Sequence, residues 1–122
     1  MGTTGTIMGT STFLKEKNSD IKIVGVQPSD NASIPGIRKW PKEYLPKIFN
    51  PKKVDQVIEV SEEEARAMTI RLAKEEGVFA GMSSGGATAA ALKLIETLEE
   101  GVVVSIVCDR GDRYLSSDLF EE

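Results

Sequence analysis

The sequence contains no histidine and, among its 122 residues, only one cysteine, Cys108. Without an imidazole, acid–base chemistry at neutral pH depends on Lys, Asp, Glu, Ser or Tyr side chains, or on a bound cofactor. A single cysteine excludes an intramolecular disulfide and is typical of the reducing cytosol. The sequence therefore predicts a cytoplasmic protein that folds without disulfides.

Long hydrophobic runs and an excess of basic residues are also missing. The longest apolar run, at 102–108, is far shorter than the roughly 20 residues that cross a bilayer, and no signal peptide is visible. The chain has 15 Lys and Arg against 19 Asp and Glu, which gives a net charge of −4. These features predict that neither nucleic acid nor a membrane is a partner.

The hydrophobic pattern predicts helices that alternate with strands. Strands are expected where β-branched residues cluster, at 21–27, 54–60 and 102–108. Helices are expected at 5–17, 62–76 and 87–99. Strands separated by helices favour parallel pairing. We therefore predict an α/β fold with three layers, in which a mostly parallel, twisted sheet carries helices on both faces.

Two local signals refine this prediction. Ser61 and Glu64 form the S-x-x-E pattern of a capping box at the start of the second helix, and Gly77 is a plausible left-handed stop at its end. Residues 28–52 contain all five prolines. Because ordered loops of this length are uncommon and usually functional, we expect a functional loop there.

Two segments combine glycine with hydroxyl residues just before a predicted helix: GTTGT at 2–6 and SSGG at 83–86. Glycine lets a ligand approach the backbone, and a helix N-terminus offers free amides and a positive dipole end. Neither segment has the Gly-Lys-Ser/Thr of a Walker loop or the spacing of the dinucleotide fingerprint. The pattern predicts a phosphate monoester bound without a metal by backbone amides and by Thr3, Thr4 and Thr6. The same residue types also favour ordinary helix N-termini, and the residues alone leave both interpretations open.

Taken together and in order, four motifs closely resemble the C-terminal part of the cysteine synthases, which are fold-type II pyridoxal phosphate enzymes. The motifs are GTTGT at 2–6, GVQP at 25–28, GMSSGGA at 81–87 and CDRGDRYLS at 108–116. The segment SIPGIRKWP at 33–41 and the CDRGDRY phrase look like the B-type members. The resemblance covers essentially the whole chain. Each motif singly is weak, and the set is specific.

The resemblance implies that the cofactor is pyridoxal 5′-phosphate and that matching residues hold it. Its phosphate would be bound by the residues of the opening loop, namely Gly2, Thr3, Thr4, Gly5 and Thr6. Ser83 would hydrogen-bond the pyridine nitrogen. A hydroxyl there, in place of a carboxylate, suits elimination at the β-carbon better than chemistry that needs a stronger electron sink.

The resemblance also implies small-molecule substrates, O-acetylserine and sulfide or thiosulfate, and a homodimeric full-length enzyme. Arg38 resembles a position that admits the sulfur donor. Cys108 and Asp109 lie at the C-terminal end of a predicted strand, where open α/β sheets bind ligands. The residues alone equally fit a solvated cation for Arg38, a small packed side chain for Cys108 and a surface ion pair for Asp109.

The family's Schiff-base lysine is not matched in this sequence. In the family that lysine, and the loop that holds the substrate carboxylate, precede the phosphate loop, and no lysine here has a matching context. We therefore expect residues 1–122 to form a single partial domain, the C-terminal cofactor-phosphate-binding portion of such an enzyme. By itself this chain is expected to be inactive, with no catalytic residue of its own.

Two alternatives stay open. The first is a related pyridoxal-phosphate-dependent serine/threonine dehydratase or cystathionine β-synthase, which would keep the fold and change the reaction. The second is a non-catalytic module that binds a phosphorylated ligand or a partner protein through the long loop.

Overall fold

The structure is a computed structural model that describes residues 1–121. Its regular elements, in chain order, are α1 (Gly5–Lys17), β1 (Val24–Pro28), β2 (Gln56–Val60), α2 (Glu62–Glu76) and α3 (Met82–Ile95). Short 3-10 turns occur at 42–44, 51–53, 111–114 and 118–120. Helix α1 has the predicted bounds, and both strands begin a few residues later than predicted.

The two strands pair in parallel. Their register runs from Val24 opposite Gln56 to Pro28 opposite Val60. Helix α3 contacts both strands and packs most extensively against α2. The predicted α/β class with parallel strand pairing is therefore confirmed, and the long segment between the strands is mostly loop, as expected.

The prediction of a third strand at 102–108 is wrong for the part of the chain that the structure describes. Residues 101–107 have no regular secondary structure, and the side chains of Val102, Val104 and Ile106 are 92%, 82% and 61% exposed. A strand needs a neighbour for its backbone N–H and C=O groups, and within residues 1–121 this segment has none. High β-propensity alone does not form a ladder.

Helix α2 forms as its capping pattern predicts. The Ser61 hydroxyl accepts from the Glu64 amide at 3.1 Å, and the Glu64 carboxylate accepts from the Ser61 amide at 2.7 Å. At the other end Gly77 adopts a left-handed conformation with φ of 68°. The hydrogen bonds to Lys93 and Ser61 lower the pKa of the Glu64 carboxyl, whereas burial acts to raise it. The hydrogen bonds have the larger effect, so that pKa lies below its ordinary value.

Helix α3 begins at Met82 rather than at residue 87, so the prediction of a loop at 83–86 is wrong. The glycines there serve a close helix crossing. A Cβ on Gly85 would lie 2.0 Å from the Thr69 Oγ1 and 2.4 Å from the Ala65 carbonyl oxygen of α2. Glycine lowers helix propensity, and here it is required by the contact with α2.

The hydrophobic core lies between α2, α3, β2 and the loop after β1. Its buried members are Ile34, Ile37, Val60, Ala65, Met82, Ala89, Ala90 and Leu119. The loop contributes two of them, which anchors it to the fold. None of the helices formed by residues 1–121 combines the length and the apolarity that crossing a membrane requires.

Candidate functional site

The opening loop ends in a residue with unusual backbone and side-chain geometry. Thr4 is the N-cap of α1 and has φ of 71° and ψ of 1°, in the left-handed region. Its side chain is only 4% exposed. The Oγ1 atom is buried and has no hydrogen-bond partner among residues 1–121. A non-glycine residue held in this region with an unsatisfied buried hydroxyl marks a functional position more often than a structural one.

The backbone amides that follow Thr4 also indicate a binding position. Met8 N–H donates to the Thr4 carbonyl at 2.9 Å, which is the first bond of α1, so the amides of Gly5, Thr6 and Ile7 have no acceptor within the helix. Gly5 and Thr6 are exposed, as is Thr3, and Gly2 is half-buried. This end of α1 therefore combines free N–H donors with a positive dipole end, the arrangement that binds phosphate.

Ser83 lies in the first turn of α3 and is 7% exposed. Its Oγ lies 3.1 Å from the Sγ of Cys108, and either atom can donate. Cys108 itself is exposed. The structure thus brings together a hydroxyl and a thiol that are 25 residues apart in the chain, as expected if both face one ligand.

Gly36 connects the opening loop to Ser83. It adopts φ of +87°, and a Cβ at this position would lie 3.1 Å from the Ser83 Cβ and 3.2 Å from its Oγ. A Cβ on Gly2 would in turn lie 3.2 Å from the Gly36 carbonyl oxygen. Gly36 therefore lies close both to the opening loop and to Ser83.

Arg38 lies on the same loop and is exposed. Its amide donates to the Met1 carbonyl at 2.8 Å, and its guanidinium carbon lies 5.4 Å from the ring centroid of Trp40. Trp40 Nε1 donates to the Gly2 carbonyl at 2.7 Å. These contacts attach the loop to the residues that precede Thr4, so Arg38 is held near the opening loop with its charge in solvent.

The Asp109 carboxylate caps the N-terminus of α3, although Asp109 is far from this helix in the sequence. Its Oδ1 accepts from the amides of Gly81 and Ser84, each at 3.2 Å, and from the Ser84 hydroxyl at 2.5 Å. Its Oδ2 accepts from the Ser83 amide at 3.3 Å and from the Tyr114 hydroxyl at 3.0 Å. Partial burial acts to raise the pKa of Asp109, but the hydrogen bonds from Ser84, Ser83 and Tyr114 outweigh it and lower that pKa.

Three contributors to this site carried no role in the sequence analysis: Gly36, Ser84 and Tyr114. Ser84 is fully buried, and its Oγ also accepts from the Cys108 amide at 3.0 Å. Gly36 and Tyr114 could have been suspected only from a lone glycine in the proline-rich loop and from an aromatic beside a charged cluster. Their roles depend on contacts between distant segments, which the sequence pattern does not specify.

The arrangement favours binding of a phosphate ester at α1 and of a hydrogen-bonding heterocycle near Ser83. Within residues 1–121 no group of three or more His, Cys, Asp or Glu side chains could hold a metal ion. The polar groups on hand are hydroxyls, amides, one thiol and one capped carboxylate. Such a set orients an organic cofactor better than it performs hydrolysis.

Comparison with known proteins defines the class. Residues 1–109 match the family model described as pyridoxal-phosphate dependent enzyme. The chain therefore belongs to this family, whose members depend on pyridoxal phosphate, and the resemblance predicted from the motifs is confirmed.

Individual relatives narrow the comparison. The chain is 57% identical over 121 residues to cysteine synthase B of Pseudomonas aeruginosa, covering 99% of this chain and 40% of the relative. A crystal structure of cysteine synthase from Entamoeba histolytica superposes with a TM-score of 0.89 at 35% identity, covering 100% of this chain and 39% of that one. An O-acetylserine dependent cystathionine beta-synthase from Helicobacter pylori superposes with a TM-score of 0.82 at 36% identity, with coverages of 98% and 42%. The chain thus spans about two fifths of the length of the relatives that it matches.

The residues present fit pyridoxal phosphate. The buried, unsatisfied Thr4 Oγ1 is the donor that a phosphate oxygen would satisfy, and the free amides of α1 lie beside it. A phosphate monoester needs no metal at such a site. The donor set is therefore chemically matched to the family's cofactor.

Proposed function

We propose that this chain supplies the phosphate and pyridine-nitrogen contacts of a pyridoxal-phosphate-dependent cysteine synthase. The reaction is replacement of the acetate of O-acetyl-L-serine by sulfide or thiosulfate, which gives cysteine or S-sulfocysteine. The observation that carries the proposal is Thr4, a left-handed N-cap whose buried hydroxyl has no partner among residues 1–121.

Phosphate binding would fall to Gly2, Thr3, Thr4, Gly5 and Thr6. The Thr4 hydroxyl donates to one phosphate oxygen, and the amides of the first turn of α1 donate to the others. Each hydrogen bond to a charged group contributes about 1.5 to 3 kcal/mol. The dipole of α1 adds to this attraction because the phosphate sits at its positive end.

Ser83 would donate to the pyridine nitrogen and keep the ring in register with the phosphate site. When bound, the cofactor supplies the electron sink for loss of the α-proton and of the β-substituent of an amino acid. A hydroxyl partner does not hold a proton on the ring nitrogen as a carboxylate would. With Ser83 as its partner, the cofactor would therefore be a weaker electron sink, of the strength that β-replacement needs.

The resemblance predicts substrate contacts for Arg38, Cys108 and Asp109, and of these we propose Arg38 as the direct one. The exposed Arg38 offers a cation to an anionic sulfur donor, with its guanidinium carbon 5.4 Å from the Trp40 ring centroid. The exposed Cys108 thiol lies beside Ser83, so it would line the end of the site that holds the pyridine nitrogen. Asp109 would act at that end through the Ser83 amide, from which it accepts a hydrogen bond.

A cystathionine β-synthase is the second candidate, because the Helicobacter pylori neighbour combines that activity with O-acetylserine on the same scaffold. The two candidates differ in the acceptor, which is sulfide in one case and a thiol amino acid in the other. Assaying O-acetylserine with each acceptor, and with water alone to detect a dehydratase, distinguishes the three reactions.

We further propose that residues 1–122 are one partial domain of a cytoplasmic, homodimeric enzyme and do not turn over O-acetylserine alone. The support is that no lysine of this sequence matches the family's Schiff-base lysine. Cysteine formation by the isolated chain with added pyridoxal phosphate would contradict this proposal.

The direct test uses the full-length protein. We expect it to bind pyridoxal phosphate and to form cysteine from O-acetylserine and sulfide, and we expect Ser83→Asp to lower that rate more than tenfold. Ser19→Asp, at an exposed position in the polar turn after α1, is the control. Tight cofactor binding without any turnover would favour the non-catalytic module instead, and no cofactor binding would overturn the proposal.

A further inference from the structure

The N-terminus of α3 is capped in an unusual way. Its N-cap is Gly81, which makes no side-chain capping bond. The capping acceptor is the carboxylate of Asp109, 28 residues further along the chain. A Cβ at position 81 would lie 2.3 Å from both Asp109 Oδ2 and Tyr114 Cε2. Glycine is therefore required here because the distant cap occupies the space of a side chain.

The backbone of the capping segment is fixed independently of its side chains. The Gly111 amide donates to the Phe79 carbonyl at 3.0 Å, and Ala80 and Arg110 form an antiparallel bridge. These bonds bring Asp109 to α3. There its carboxylate accepts from the amides of Gly81, Ser83 and Ser84 and from the Ser84 hydroxyl.

Tyr114 is a further donor to this carboxylate. Its hydroxyl donates to Asp109 Oδ2 at 3.0 Å, and the same oxygen accepts from the Ser83 amide at 3.3 Å. Two hydrogen bonds through a single oxygen therefore connect Tyr114 with the backbone of Ser83. The Tyr114 ring lies against Gly81, which holds the hydroxyl in place.

We propose that Tyr114 is a positioning residue of the cofactor site, which acts through the Asp109 carboxylate to fix the first turn of α3 and thereby the Ser83 hydroxyl. The inference rests on the proposed function, because it takes Ser83 to be the partner of the pyridine nitrogen. It adds a role for a residue that touches neither cofactor nor substrate.

The test uses the full-length protein in five forms: wild type, Tyr114→Phe, Asp109→Asn, the double variant and Tyr44→Phe. The control removes the hydroxyl of Tyr44, a residue of the long loop that is 70% exposed. The dissociation constant of pyridoxal phosphate and the fluorescence spectrum of the bound cofactor are measured, together with the melting temperature of each cofactor-free protein.

We expect Tyr114→Phe to weaken cofactor binding about fivefold, the effect of one lost hydrogen bond, and to change the cofactor's emission. Tyr44→Phe should leave both unchanged. The double variant should bind no more weakly than Asp109→Asn, because Tyr114 acts through Asp109.

Three results would overturn the inference. An unchanged dissociation constant and spectrum in Tyr114→Phe, even with a lower melting temperature, would give Tyr114 a structural role alone. Additive losses in the double variant would mean that it does not act through Asp109. If the wild-type protein binds no pyridoxal phosphate, the proposed function itself fails, and the inference fails with it.

Discussion

Gly36 packs directly against Ser83, although 47 positions separate them in the chain. A Cβ on Gly36 would approach the Ser83 Cβ to 3.1 Å, and the φ of +87° at Gly36 disfavours any side chain there. The loop that carries Arg38 can therefore approach the helix that carries Ser83 this closely only because position 36 is a glycine.

Replacing Gly36 with alanine should therefore affect both stability and cofactor binding. The left-handed backbone costs an L-residue about 1 to 2 kcal/mol, and the new methyl must push Ser83 or the loop aside. Gly77→Ala is the matched control: its φ is +68°, and its Cβ would meet nothing within 4 Å. Melting temperatures should fall in both variants, and pyridoxal phosphate affinity should fall only in Gly36→Ala. Equal affinities would show that the contact with Ser83 is unimportant.

Thr4→Val should separate stability from binding. Valine keeps the shape of threonine and removes the buried Oγ1, which has no partner among the described residues; such an unsatisfied group costs about 1 to 3 kcal/mol. We expect the cofactor-free protein to become more stable and the dissociation constant of pyridoxal phosphate to rise at least tenfold. Thr69→Val is the opposite case, because the Thr69 hydroxyl donates to the Ala65 carbonyl at 2.7 Å. That variant should be destabilised. A less stable Thr4→Val with unchanged affinity would contradict the assignment of Thr4.

Asp109 should make stability depend on pH at the acid end. Although partial burial opposes it, hydrogen bonds lower the folded-state pKa of Asp109 below the ordinary value. Its contribution is therefore present above the unfolded-state pKa of about 3.9 and is lost as the pH falls through the folded-state pKa.

Asp109→Asn should lower the free energy of unfolding by about 1 kcal/mol near pH 7, the usual effect of losing a helix cap. The difference from wild type should shrink below pH 4, as followed by urea unfolding at several pH values. Asp112→Asn is the control, because the carboxylate of Asp112 forms a surface ion pair with the exposed Arg110, at 3.2 Å. A difference that is independent of pH would exclude a role for the charge of Asp109.

The two adjacent glycines of α3 should differ in their tolerance of alanine. A Cβ on Gly85 would collide with Thr69 Oγ1 and with the Ala65 carbonyl. A Cβ on Gly86 would be tight only against Ile37 Cδ1, at 2.7 Å, the end of a flexible side chain, and in ordinary contact with the Ala65 Cβ at 3.6 Å. Gly85→Ala should therefore cost about 1 to 3 kcal/mol or more, measured by chemical unfolding, and Gly86→Ala less. Thr69→Ala should not rescue Gly85→Ala, because the Ala65 carbonyl stays 2.4 Å away. Full rescue would mean that α2 and α3 do not cross as closely as described.

Local patterns predicted much of the fold. The bounds of α1, the capping box of Ser61 and Glu64 and the stop at Gly77 depend on residues close in sequence, and all were confirmed. The third strand failed because a strand needs a partner, which no β-propensity supplies. The early start of α3 was missed because its cap, Asp109, comes from a distant segment.

The sequence by itself determined the family, because the GTTGT, GMSSGGA and CDRGDRYLS motifs occur as one ordered set. It also determined which residue types could bind a phosphate, since glycines and hydroxyls before a helix provide that chemistry locally. Only the tertiary structure decided that the buried Thr4 hydroxyl has no partner among residues 1–121, that Gly36 lies close to both Gly2 and Ser83, and that Asp109 caps α3 and accepts from Tyr114. The reason is physical: these relationships depend on burial and on contacts between segments far apart in the chain, and a local pattern encodes neither.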